Sequence, residues 1–178
     1  MPPTSIRLTL RQMTAADLPD LASMLQDPQA MTAYEGPFTD DEVKAWLDRQ
    51  FANYARDGYG LWAVTLDRVM IGQCGITWQD IDGERRPEVG YHVKSAYWHH
   101  GYAVEAAAAC RDYAFDSLGM DEVFCQVRDT NVASMNVAIR IGMTIRSRFT
   151  KHYRGVDMPH YAFSLRRDDS RRRGEPWF

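Results

Sequence analysis

Ile6, Leu8 and Leu10 alternate with Arg7, Thr9 and Arg11, the two-residue period of a strand with one buried face. The period then lengthens. Thr14 and Asp17 form a capping arrangement, and Leu18, Leu21 and Leu25 repeat at helical spacing until Asp27-Pro28 interrupts them. After Gly36-Pro37, Thr39 and Glu42 make a capping box, and Val43, Trp46, Leu47, Phe51 and Tyr54 mark one face of a second helix that stops at Gly58. Residues 61–66 and 69–78 are rich in β-branched and aromatic side chains around Asp67-Arg68, which predicts an antiparallel hairpin. A polar loop over 80–86 leads to a fourth strand over 88–93, and Gly101 opens an Ala-rich helix over 103–118 that ends near Gly119. A fifth strand over 122–127, a short fourth helix over 132–141 with Gly142 as its stop, and strands over 143–148 and 161–165 complete the pattern.

The order β-α-α-β-β-β-α-β-α-β-β specifies an α/β (α+β) domain with a mixed, mostly antiparallel sheet of about seven strands and four helices. A chain of 178 residues suits one such domain, expected over 1–168 and followed by an Arg-rich tail over 169–178. The net charge of −3 supplies no field for nucleic acid, and the tail reads as a solvated end. No apolar run approaches the roughly 18 residues needed to cross a bilayer, and the N-terminus lacks the regions of a secretion signal, so no membrane contact and a cytoplasmic location are expected. Cys74, Cys110 and Cys125 lie in strand or helix interiors without CxxC spacing and read as buried free thiols.

Chemistry is concentrated in residues 88–106, EVGYHVKSAYWHHGYAVEA, a strand, a tight loop and the start of a helix. A helix N-terminus offers unpaired N–H groups and the positive end of its dipole, and small residues at Gly101 and Ala103 would let a phosphate approach. A plain connection in which Gly101 only makes the turn fits the same residues. A second unit, residues 131–143, NVASMNVAIRIGM, places Asn131 and Ser134 in the first turn of another helix after a strand. Together these units resemble the GCN5-related N-acetyltransferase (GNAT) superfamily, in particular the branch containing ribosomal-protein N-terminal acetyltransferases, over about residues 7–165.

That resemblance implies acetyl-CoA as cosubstrate, no metal, and a sheet splayed between its fourth and fifth strands. The family's cofactor loop, Arg/Gln-x-x-Gly-x-Gly/Ala, corresponds here to Trp98, His99, His100, Gly101, Tyr102 and Ala103, with Val104 following. His99 stands where a second glycine is usual. The pantetheine arm is expected along the backbone of Tyr91, His92 and Val93, with Asn131 as a further contact. Glu88 corresponds to a catalytic glutamate of many relatives and would serve as general base; as a residue it equally reads as an exposed strand carboxylate. Ala138 occupies the position where many relatives carry an acidic tyrosine. Ser134 is then the candidate acid by the resemblance, or a capping hydroxyl by its position.

His99 and His100 are adjacent rather than at metal-ligand spacing, so zinc is not expected. His160 reads as a packing or surface residue that could face the acceptor. Tyr34, Phe38, Trp62, Trp78 and Tyr91 could line an aromatic acceptor pocket or fill the core, and Glu35, Asp80, Asp82 and Glu84 could favour a cationic amine or simply be solvated. The expected activity is direct acetyl transfer to an amine, either a peptide N-terminus or a small molecule. An acyl-CoA-binding module without turnover is the competing reading. The resemblance also admits a homodimer through the C-terminal strands.

Overall fold

The computed structural model describes residues 2–172. Its strands are β1 (Thr9–Arg11), β2 (Leu61–Leu66), β3 (Val69–Ile81), β4 (Glu84–Val93), β5 (Glu122–Arg128), β6 (Thr144–Tyr153) and β7 (Val156–Arg166). The helices are α1 (Leu18–Leu25), α2 (Asp40–Asp57), α3 (Tyr102–Asp116), α4 (Val132–Arg140) and α5 (Arg167–Arg172). One sheet of order β1-β2-β3-β4-β5-β7-β6 runs through the molecule. Every pairing is antiparallel except β4 with β5, which is parallel.

Local chemistry accounts for the helix ends. Thr39 Oγ1 accepts from Glu42 N, and Glu42 returns the bond to Thr39 N, so α2 begins where the capping box places it. Gly58 ends α2 at φ 79°, a left-handed conformation in which a β-carbon is costly. The two longest hairpins depart from the expected pattern. Residues 80–86 form no loop: Asp82 (φ 57°) and Gly83 (φ 78°) turn the chain in two residues, and β3 and β4 pair up to Ile81↔Glu84. The last two strands are likewise longer than expected and meet at Arg154-Gly155. The opening strand is shorter, because Ile6 is almost fully exposed and pairing begins at Thr9. A fifth helix, α5, follows β7 directly. Its residues 169–172 belong to the expected tail, whose remaining part, 173–178, lies outside the described residues.

Strand alternation divides the core in two. On one face α3 and α4 pack against Leu10, Trp62, Val64, Cys74, Ile76, Val89 and Cys125. On the other, α1 and α2 cover Leu61, Ala63 and Met70 with Leu21, Leu25, Val43 and Leu47. Cys74, Cys110 and Cys125 are buried free thiols. Among the described residues no helix is long and apolar enough to cross a membrane.

The sheet depends on a close approach between neighbouring strands. A β-carbon at Gly75 would lie 2.0 Å from the backbone oxygen of Gly60 and 2.6 Å from Leu61 Cα, neither of which can move without breaking the β2–β3 ladder. Gly75→Ala is therefore expected to lower the unfolding free energy by about 1–3 kcal/mol, as overpacking does. Urea denaturation followed by circular dichroism checks this.

Candidate active site

β4 and β5 begin side by side and then separate. Their register contains one pair, Glu88↔Phe124. The peptide groups of β4 beyond it divide by alternation. Lys94 N donates to Ile71 O at 2.8 Å, so Lys94 and, two residues back, His92 direct their N–H and C=O groups to β3. Val89, Tyr91 and Val93 therefore direct theirs to the opened edge. Two of the oxygens there have partners: Val89 O accepts from Cys125 Sγ (3.1 Å) and Val93 O from Trp98 Nε1 (2.7 Å). Tyr91 N–H, Tyr91 C=O and Val93 N–H are left facing the gap. The expectation for His92 is corrected on this point, since its backbone belongs to the β3 ladder and only its side chain reaches a site.

The gap leads to the N-terminus of α3. Gly101 caps that helix at φ 79° with no side-chain hydrogen bond, which leaves the first-turn N–H groups of Tyr102, Ala103 and Val104 without a side-chain partner. His99 takes φ 64°, where a β-carbon costs about 1–2 kcal/mol, and both His99 and His100 are exposed. The bulk at position 99 therefore stands outside the loop. His100 Nδ1 donates to Trp98 O at 2.6 Å, and its ring stacks on Tyr102 with centroids 5.6 Å apart. Arg7, which sequence spacing did not single out, reaches this loop from the start of the chain. Its Nη2 donates to His100 O (3.2 Å), its guanidinium lies 4.7 Å from the Tyr102 ring centroid, and its Nε pairs with Glu105 at 2.6 Å.

At the mouth of the gap, Asn131 rather than Ser134 caps α4. Asn131 Oδ1 accepts from Ser134 N at 3.1 Å, which leaves the Asn131 side-chain NH2 for a ligand. The Ser134 hydroxyl donates to Tyr91 OH (3.1 Å), and that phenol donates to Ser134 O (2.8 Å). Burial holds the Tyr91 phenol well above its ordinary pKa, so it keeps its proton.

The α1/α2 face of β4 presents Glu88, Gly90 and His92 in a row. Glu88 Oε1 accepts from Gln126 N at 3.2 Å, and burial raises the carboxyl above its ordinary pKa despite that bond and the nearby charge of Lys151. Gly90 leaves open the space between its neighbours, for a β-carbon there would meet only Leu61 Cδ2, at 3.4 Å. His92 is oriented by a chain of hydrogen bonds. The Trp46 indole, which can only donate, gives its proton to Gln73 Oε1 at 3.0 Å; Gln73 Nε2 must then donate to His92 Nδ1, at 3.2 Å. The proton of the neutral ring consequently sits on Nε2. Burial lowers the His92 pKa to about 4, so the ring is neutral at pH 7.

Tyr34 and Trp46 lie 5.3 and 5.9 Å from His92, ring centroid to centroid, and Phe38 and Tyr153 pack against Tyr34 at 5.9 and 6.4 Å. Of the expected aromatic pocket only Tyr34 and Phe38 belong here. Trp62 and Trp78 fall on the opposite face by strand alternation, against Tyr113 and Arg85, and Tyr91 points to α4. The expected acidic lining is also corrected. Glu35 pairs with Arg128 at 2.5 Å and Glu84 with Arg86; Asp80 accepts from Gly83 N and Asp82 from Ser147. Asp80 and Asp82 do line a cavity of about 500 Å³ between the β3–β4 turn and β6, but Arg148 and Lys151 line it too. Among the described residues no group of three or more His, Cys, Asp or Glu is placed to hold a metal ion.

A parallel strand pair that opens after one bridge, beside an uncapped helix N-terminus, is the arrangement anticipated from the resemblance. A family model described as an acetyltransferase (GNAT) domain matches residues 7–144. The chain belongs to the GNAT acetyltransferase family. Among its relatives, the protein YkkB of Bacillus subtilis is 35% identical over 140 residues, covering 77% of this chain and 81% of its own. The FsC-acetyl coenzyme A-N(2)-transacetylase of Aspergillus fumigatus is 29% identical over 165 residues, 84% of this chain and 69% of that one. An acetyltransferase structure from Agrobacterium tumefaciens superposes with a TM-score of 0.78 at 28% identity, covering 94% of this chain and 95% of that one. The ribosomal-protein branch is represented by RimL in complex with coenzyme A, at a TM-score of 0.76 and 16% identity over 94% and 98% of the two chains, a likeness of fold.

The buried neutral His92 carries a pH signature. Its folded pKa of about 4 lies below the ordinary 6.5, so between these values the unfolded chain binds a proton that the folded chain refuses. Stability is thus fully present above pH 6.5 and falls toward pH 4, by about 3 kcal/mol from this group. Subtracting the stability profile of His92→Gln from that of the native protein, measured by urea denaturation from pH 7 to 4, should isolate this slope.

Proposed function

We propose that the protein is an acetyl-CoA-dependent N-acetyltransferase that passes the acetyl group to a primary amine by direct attack in a ternary complex. The observation that carries this reading is the continuous line from the opened edge of β4 to the uncapped N-terminus of α3. The N–H groups of Tyr102, Ala103 and Val104 suit a pyrophosphate, with Arg7 beside them, while Tyr91 and Val93 offer peptide groups to a pantetheine arm as an added strand would. Bound there, acetyl-CoA supplies an activated acyl carbon.

The residues around it divide the work. Val93 N–H faces the gap and is placed to polarise a carbonyl. Glu88, whose carboxyl burial holds above its ordinary pKa, takes a proton from the attacking amine, which must be neutral to react. Ser134, held against the Tyr91 phenol, is the proton source for the departing sulfur and fills the role left by Ala138. The acceptor enters on the α1/α2 face, over Gly90. RimL and the Aspergillus enzyme are named for acetyl transfer to a ribosomal protein and to FsC respectively, which supports an amine acceptor here without choosing between peptide and small molecule.

Release of CoA thiol with a panel of amines, read together with mass-spectrometric detection of the acetylated product, tests the reading. Binding of acetyl-CoA without release by any acceptor would favour a non-catalytic module. Glu88→Gln should lower kcat at least tenfold and abolish the fall of activity on the acid side, while acetyl-CoA affinity stays within twofold. Gly101→Val should weaken acetyl-CoA about tenfold, because φ 79° costs a β-branched residue at least 1–2 kcal/mol and the loop must shift to relieve it. Isothermal titration with acetyl-CoA measures that change.

A further inference from the structure

We propose that Arg128 anchors an anionic group of the acceptor, so that the amine acetylated by this enzyme is a small amino acid carrying a carboxylate next to the reacting nitrogen. The inference rests on the acetyltransferase reading above and names the substrate class of the same site.

Arg128 ends β5 on the face that carries Glu88 and His92. It is paired in register with His160 of β7 and lies four residues beyond Phe124, the partner of Glu88. At about 3.3 Å per residue this places the Arg128 and Glu88 levels about 13 Å apart. The Arg128 side chain is 18% exposed, and its Nη1 bonds Glu35 Oε1 and Thr32 O. Its Nε is buried and has no hydrogen-bond partner. A buried donor left in that state costs about 1–3 kcal/mol, and an acceptor oxygen supplied by a ligand would remove the cost.

The charge balance of the face points the same way. Glu35, Glu42 and Asp129 are already paired with Arg128, Arg154 and Arg148. Lys151 donates to Gln126 Oε1 at 3.3 Å and has no carboxylate at ion-pair distance among the described residues. Lys151, without an ion-pair partner among the described residues, and the unused Nε donor of Arg128 thus offer an anionic group two donors on this face. The α1–α2 connection covers this end of the cleft. Glu35 ties it to Arg128, and Arg154 ties it to the β6–β7 turn through Gly36 O, Pro37 O and Glu42. Two clamps on a short loop fit a free amino acid better than an extended peptide.

The test compares amino acids with the amines that lack only the carboxylate: glycine with methylamine, leucine with isoamylamine, and phenylalanine with phenethylamine. Two quantities are read, kcat/KM for CoA release and the affinity of the CoA-loaded protein for the N-acetylated form of each compound. The carboxylate member of at least one pair should win by about ten- to a hundredfold, the worth of a charge-assisted hydrogen bond, mainly through KM. Arg128→Gln should collapse the ratio. Glu35→Gln, which keeps a polar side chain on the loop and removes the competing charge, should raise it. Lys151→Gln, which leaves both loop clamps in place, should lower it even if Arg128→Gln disturbs the fold. Equal treatment of both members of every pair, or preference for the decarboxylated amine, for spermidine or for a peptide amide, would overturn the anchor while leaving acetyl transfer standing. Product discrimination without CoA release from any amine would leave the anchor standing and remove the enzymatic reading.

Discussion

Everything in this molecule that concerns chemistry follows from the parting of β4 and β5 after a single bridge at Glu88↔Phe124. An open strand edge inside a sheet exposes peptide groups that cost free energy unless something satisfies them. The gap is held rather than closed: Cys125 Sγ occupies Val89 O, the Trp98 indole occupies Val93 O, and the Tyr91 phenol reaches across to α4. These side-chain bonds substitute for the missing ladder on some groups and keep the strands apart, which leaves the peptide of Tyr91 and the N–H of Val93 for a ligand.

The same alternation that opens the edge sorts the side chains. Odd residues of β4 go to the α3/α4 face, where Tyr91 meets Ser134; even residues go to the α1/α2 face, where Glu88 and His92 flank Gly90. The two faces of this one strand therefore present different chemistry. The Trp46–Gln73–His92 chain illustrates how rigidly the second side is specified, since a donor-only indole fixes an amide, and the amide fixes a tautomer.

Some elements were legible and others were not, for identifiable reasons. The α2 boundaries were written in Thr39, Glu42 and Gly58 because capping is a local interaction. The β3–β4 turn was missed although Asp82-Gly83 is a strong two-residue hairpin signal; charged residues on both sides of it hid strands whose outward face is solvated. Ile6 continued an alternating pattern yet stays exposed, since the β1–β2 pairing runs only from Thr9↔Thr65 to Arg11↔Ala63. Two of the five aromatic candidates, Tyr34 and Phe38, share the His92 face, because composition identifies aromatic residues but only the fold decides which face each one takes.

The sequence by itself determined the order of elements, the glycine that opens α3, the helix start at Asn131 and the placement of Glu88 and Tyr91 on one strand, because these depend on residues within a few positions of each other. The tertiary structure alone decided that Arg7 joins the α3 loop, that Gln73 and Trp46 set the proton on His92, and that Arg128 neutralises Glu35 while leaving a buried donor unused. Those contacts join residues 19 to about 100 positions apart, and their pairing is settled by sheet order and register, which no local pattern of polarity encodes.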